Sequence, residues 1–114
     1  MIAVIFEVEP TPEGRNPYLS LASELRPMLD EIDGFISIER FQSLSQPDRI
    51  LSLSFWRDET AIEQWRQIED HRQAQSAGRD RIFHDYRLRI AHVIRDYGLT
   101  DREQAPQDSR SYHA

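Results

Sequence analysis

Four histidines, at positions 71, 84, 92 and 113, are the side chains of this sequence that titrate nearest neutrality, and arginine supplies all fourteen of its cationic side chains. Imidazole and guanidinium together can move a proton and hold the anion that remains. Neither lysine nor cysteine occurs. Schiff bases, pyridoxal phosphate anchoring, a P-loop lysine, thiol nucleophiles, disulfides, thiolate zinc sites and cysteine-ligated clusters are therefore excluded. The histidines do not form a metal set either. His71 and His84 are thirteen residues apart, no HxxxH or HxH spacing occurs, and Glu69, Asp70 and His71 are too crowded along the chain to converge on one ion. What remains is proton transfer and anion stabilisation by His, Arg, Asp/Glu, Ser, Tyr and Trp, or chemistry brought by a bound molecule.

Charge narrows the partners. Twenty acids give a net charge of −6; residues 1–65 carry five arginines against twelve acids, and residues 66–95 carry seven against four. An acidic chain whose arginines are not interleaved with aromatic residues on a strand makes a poor footprint for nucleic acid, and none is expected as a partner. The apolar run from Met1 to Phe6 is far short of a signal peptide or a membrane span, so a cytoplasmic protein without membrane association is expected. A chain of 114 residues with 39% hydrophobic side chains is about one domain.

The elements that must position these groups follow from periodicity. Met1 to Glu9 alternates, with Ile2, Val4, Phe6 and Val8 on one face of a strand. Pro10 to Pro17 is a loop, and Asn16-Pro17 reads as a helix start with Asn16 as cap. Tyr18, Leu21, Ala22, Leu25, Met28, Leu29 and Ile32 then recur at helical spacing, with a kink or fresh start expected near Leu25 because Pro27 lies inside the pattern. Asp33-Gly34 ends this helix. Phe35 to Phe41 and Arg49 to Trp56 read as two strands joined by a turn at Ser45 to Asp48, close enough to form an antiparallel hairpin. Asp58 can cap a helix lined by Ala61, Ile62, Trp65 and Ile68, and Asp70 to Phe83 reads as a second helical piece interrupted near Gly78. Tyr86 to Tyr97 is the last strand. Beyond Gly98 the chain is polar and aperiodic, so residues 99–114 are expected to be a flexible tail, or an arm that orders on a partner, outside a domain of residues 1–98.

The order β-α-β-β-α-β gives the fold class: α+β, a ferredoxin-like βαββαβ arrangement with a four-stranded antiparallel sheet and both helices on one face. The other face keeps Ala3 and Ile5, with either Leu51, Leu53 and Phe55 or Ile50 and Trp56 on the third strand. That is too apolar to be wet. A homodimer in which two sheets meet face to face, forming a dimeric α+β barrel, is the expected solution.

Three stretches carry a family resemblance. They are Gly34-Phe35 opening the second strand with Glu39, Arg40 and Phe41 in it; Leu53 to Trp65, with Trp56 and Trp65 flanking an acidic helix cap; and His71 to Gln75 followed by Gly78-Arg79. Over residues 1–98 the chain resembles the antibiotic biosynthesis monooxygenase family of small dimeric α+β barrel proteins. That resemblance implies one of three functions: cofactor-independent oxygenation of phenolic polyketides, haem degradation, or no assigned activity. The haem-degrading relatives use an Asn on the first strand, a Trp on the second helix and a His ten residues later as iron ligand. Here Trp65 matches, but Gln75 stands at the ligand position and Phe6 near the Asn position, which demotes haem; His71, one turn before Gln75, is the alternative ligand.

An oxygenase of this kind needs an apolar pocket, an acid/base and a partner for the substrate anion. Trp65 and Phe83 are the candidate walls, His71 the base, and Arg72, Arg87 or Arg89 the anion partner, with His71 and Arg87 as the catalytic pair and no metal or cofactor. Each has a plainer alternative. Trp65 is also a core residue of its helix stripe, His71 a helix-start or surface ion-pair residue, and Arg87 and Arg89, which share one strand face, solvated or paired arginines. His92, among Leu88, Ile90 and Ile94, reads as an interface or core histidine. The leading expectation is a dimeric cofactor-independent monooxygenase acting on a small aromatic or quinol-like substrate. The alternatives are a non-catalytic ligand-binding or stress-response dimer and a haem-binding or haem-degrading protein.

Overall fold

Strict alternation along the strands decides this fold, because it gives each strand one face for the helices and one face away from them. The computed structural model describes the backbone of residues 1–75 and 82–113, and the side chains of residues 1–69 and 82–110. The elements run β1 (Ile2–Pro10), α1 (Arg15–Leu29), β2 (Phe35–Gln42), β3 (Ile50–Trp56), α2 (Glu59–Gln75), β4 (Phe83–His92) and α3 (Gln107–His113). The first six are the expected βαββαβ order. The four strands form one antiparallel sheet in the order β2-β3-β1-β4, with β1 between β3 and β4 and the β2–β3 hairpin at one edge.

Register settles which side chains share a face. Ile2, Val4, Phe6 and Val8 stand opposite Trp56, Ser54, Ser52 and Ile50, and on the other side opposite His92, Ile90, Leu88 and Tyr86. This is the helix-covered face, since Ile2 and Trp56 cluster with Leu29 of α1 and with Ala61 and Ile62 of α2. Val8 and Ile50 form a second cluster with Tyr18 at the other end. Leu51, Leu53 and Phe55 therefore point away from the helices, with Ala3, Ile5, Glu7, Arg87 and Arg89.

Helix α1 starts earlier than Asn16. Gly14 is its N-cap, and Asn16 lies exposed inside the first turn with no capping role. Thr11 sets the start instead: its hydroxyl accepts the Gly14 N–H at 2.9 Å and its carbonyl accepts the Arg15 N–H at 3.0 Å. Pro17 then falls in the first turn, where no intrahelical N–H partner is lost. The helix runs on through Pro27 without a fresh start, burying Tyr18, Leu21, Leu25 and Leu29. Pro27 and Ser23 are both exposed, so the Ser23 carbonyl left without a donor faces water. Gly34, at φ +96°, makes the expected left-handed turn, and a side chain there would stand 2.9 Å from the Ala61 Cβ.

Asp58 caps α2 as its type suggests, accepting the Ala61 N–H at 3.0 Å. The helix continues unbroken to Gln75 rather than ending before a second piece, and Phe83 belongs to β4, not to a helix. The expected interruption at Gly78 lies outside the described residues. Strand β4 starts at Phe83 and stops at His92, five residues short of Tyr97. The C-terminal segment is also more ordered than its composition suggests. Arg102 donates to the carbonyls of Gly98 and Ser109 and to the Ser109 hydroxyl, stacks over Tyr97, and thereby holds α3 against the preceding loop. Among the described residues no helix is long and apolar enough to cross a membrane.

Candidate functional site

The inner face of β3 reads Ile50, Ser52, Ser54, Trp56: bulk at both ends and two small side chains between. The bulky ends anchor the two core clusters, and the helices bridge them. Beneath that bridge the serines cannot fill the space, and a cavity of about 180 Å³ remains. Its floor is Val4, Phe6, Ile38, Ser52, Leu88 and Ile90 on the sheet; its roof is Tyr18, Leu21, Ala22 and Leu25 of α1 with Ile62, Trp65, Arg66 and Glu69 of α2. Phe83 closes one end, edge-on to both Phe6 and Tyr18 at centroid distances of 5.9 and 5.5 Å. Tyr86 leans on Phe6 and Phe83 from outside.

Most of this wall is hydrocarbon or ring, as small-molecule pockets generally are, with polar groups at few points. Arg40 is the chief of these. Its Nε donates to the Tyr18 hydroxyl at 3.3 Å and its guanidinium lies 5.8 Å from that ring's centre. Among the described residues it has no carboxylate partner. Ser52 stands opposite Arg40 on the neighbouring strand and is 7% exposed. Ser54, by contrast, is spoken for, because it accepts the Trp56 indole N–H at 2.8 Å.

The residues singled out from sequence separate into three groups. Trp65 and Phe83 both line the pocket. Arg87 and Arg89 stand on the opposite face of the sheet, paired in register with Glu7 and Ile5, and Arg89 donates to the Glu7 carboxylate at 3.2 Å. The sheet itself lies between them and the pocket of the same chain. His71 and Arg72 belong to the last turns of α2, and their side chains fall outside the described residues. His84 and His92 are exposed and line no part of the pocket. The expected set thus contributes two walls at the described site, and its two strand arginines are elsewhere.

Arg40, Tyr18 and Ser52 carried no functional weight in the sequence reading. A signal for Arg40 existed: an arginine at an inward position of a strand, between Ile38 and a turn, is unusual unless something meets its charge. Reading it required knowing which face of β2 looks inward, and the bulge between Phe35 and Ser37 shifts that phase by one residue. Among the described residues no cluster of three His, Cys, Asp or Glu side chains is placed to hold a metal ion.

The model of the family described as antibiotic biosynthesis monooxygenase matches residues 1–77. A curated relative from Pyricularia oryzae, named jasmonate monooxygenase ABM, is 52% identical over 93 residues, which is 82% of this chain and 43% of that protein. The chain therefore spans less than half the length of that relative. Among solved structures, Rv0793 from Mycobacterium tuberculosis has a TM-score of 0.71 at 14% identity, covering 85% of this chain and 98% of that one. A MhuD variant with two manganese protoporphyrin IX molecules bound per active site has a TM-score of 0.64 at 15% identity, covering 86% and 99%. At such identities the likeness establishes the fold. Phe6, packed against Phe83 and Tyr86, lies on the floor of this pocket of about 180 Å³, and the side chains at the two candidate haem-ligand positions, His71 and Gln75, fall outside the described residues.

Proposed function

The chain belongs to the antibiotic biosynthesis monooxygenase family, and from that premise we propose that it is a monooxygenase acting on a small ring-containing molecule held between the sheet and helices α1 and α2. The observation that carries this reading is the apolar pocket walled by Trp65, Phe83, Phe6 and Tyr18. The relative named a jasmonate monooxygenase supports it. Aromatic walls favour a flat or cyclic body, which buries its faces against them.

In its most concrete form the substrate is aromatic or quinol-like, such as an anthrone, and the reaction uses neither metal nor flavin. The balance then closes on the substrate. Its methylene loses two hydrogens and gains one atom of dioxygen as a carbonyl, and the second oxygen leaves as water. An unactivated C–H bond becomes C–OH only if an external reductant supplies two electrons and two protons. In this reading His71 takes the substrate proton and Arg72 stands by the resulting anion. Arg87 and Arg89, across the sheet, have no part in it.

Dioxygen uptake tests the proposal. Anthrones, hydroquinones and jasmonate are offered singly, with and without reduced flavin. The expected result is uptake equimolar with an anthrone or hydroquinone in the absence of flavin, reduced about tenfold or more in Trp65→Ala and in His71→Ala. Uptake that requires flavin moves the reading to unactivated C–H bonds, and no uptake across the panel overturns it.

The open sheet face is assigned to a second copy of the chain. Leu51, Leu53, Phe55, Ile5 and Phe41 make it apolar. Sizing chromatography that returned only a 13.5 kDa species would contradict the homodimer.

A further inference from the structure

We infer that Arg40, Tyr18 and Ser52 form a clamp for a single carboxylate, so that the molecule the pocket accepts is an apolar ring or chain bearing one acid group. The inference rests on the pocket reading above and adds what the pocket recognises. Arg40 uses its Nε on Tyr18 at 3.3 Å, which leaves both terminal nitrogens of its guanidinium with no protein acceptor among the described residues. Tyr18 is 7% exposed; its hydroxyl accepts from Arg40, and its own proton has no acceptor there. Ser52, equally buried and directly across the ladder from Arg40, has a hydroxyl with no partner among the described residues. All three line one cavity.

Buried donors without acceptors are costly, and two buried hydroxyls beside one half-buried arginine define what completes the set. The missing group accepts several hydrogen bonds, carries negative charge and is small. A carboxylate meets each requirement: its two oxygens match the planar guanidinium fork, and its single charge neutralises a single half-buried cation. A phosphate dianion would leave one charge uncompensated beside Arg40, the cation that faces the two buried hydroxyls. Arg66, the other cation on the wall, is exposed on α2 and sits at the mouth, and the nearby Glu69 has a partner of its own. Strand order gives the direction of the ligand: from Arg40 on β2 and Ser52 on β3 the pocket floor runs on to Phe6 on β1 and to Leu88 and Ile90 on β4.

The test is isothermal titration calorimetry with two acid and ester pairs, jasmonate with methyl jasmonate and phenylacetate with methyl phenylacetate. Wild-type protein is expected to bind the acid about tenfold or more tightly than the ester. Arg40→Met, which keeps the length of the stem, is expected to bring acid and ester within about twofold of each other by weakening the acid far more than the ester. Tyr18→Phe and Ser52→Ala are expected to narrow the preference without abolishing it, and each keeps the packing of its site if Arg40→Met fails to fold. Equal binding of acid and ester by wild type overturns the clamp and leaves the pocket reading standing. A preference that survives Arg40→Met overturns the assignment to Arg40. Binding of neither member of either pair takes down the pocket reading with the clamp.

Discussion

The two faces of β3 differ by one residue of phase and have opposite consequences. The outer face presents Leu51, Leu53 and Phe55, three large side chains in a row; the inner face presents Ile50, Ser52, Ser54 and Trp56. A continuous row of bulk makes a surface another surface can cover. A row with its middle removed makes a hollow, provided helices span the gap on bulky supports at either end. The charged residues obey the same division. Arg89 on the outer face has the Glu7 carboxylate as its partner, whereas Arg40 on the inner face meets only a phenol.

The largest effect that tests this contrast concerns the supports. Trp56 is 1% exposed and anchors one end of the hollow, so Trp56→Ala is expected to cost about 3–5 kcal/mol in urea unfolding. A cost near 1 kcal/mol would mean the inner face does not depend on its ends. On the outer face, Leu53→Asp is expected to weaken self-association by about a hundredfold, because a carboxylate would be buried without a partner. The readout is the midpoint of the monomer–dimer transition in sedimentation, and no change would remove the outer face as an interface.

Filling the hollow should act on binding and spare the fold. Ser52→Leu adds apolar volume to open space, so it is expected to lower ligand affinity about tenfold or more while shifting stability by no more than about 1 kcal/mol. A large destabilisation instead would show that the space beneath the helices is already occupied. The smallest effect lies at the α2 cap, away from both faces. Arg57, 2.9 Å from the Asp58 carboxylate, and the Ala61 N–H hold Asp58 below its usual value of 3.8, and Asp33 and Asp58 hold Arg57 above the ordinary arginine range. A carboxylate depressed by folding contributes stability that is complete above its unfolded value and lost as pH falls through the folded one. Wild type is therefore expected to lose slightly more thermal stability than Asp58→Asn on acidification below pH 3.8, and parallel curves would remove the cap from the account.

Much of the fold was legible because its periods are unambiguous. Alternation in β1 and β3, the helical stripe from Tyr18 to Leu29, the Asp58 cap and Gly34 each state a local preference that the tertiary structure has no reason to override. The misreadings occur where local signals compete. Asn16-Pro17 has the composition of a helix start, but the Thr11 hydroxyl and carbonyl begin the helix two residues earlier, with Gly14 as its cap. The order of the C-terminal segment depends on Arg102 donating to the Gly98 carbonyl four residues before it and the Ser109 carbonyl seven residues after it, and hydrogen bonds of that kind leave no period in the sequence.

For the candidate site the division is sharper. Residue types alone determined which chemistry was open, since the absence of lysine and cysteine removes covalent amine and thiol catalysis in any fold, and the family resemblance marked Trp65 as a pocket wall. Which arginine meets the pocket was decided only in three dimensions. Arg40, Arg87 and Arg89 each stand in a strand next to at least one apolar residue, and a strand period of two sends each to one face or the other according to register. That register is fixed by pairing with β1 and by one bulge in β2, both of which depend on residues tens of positions away.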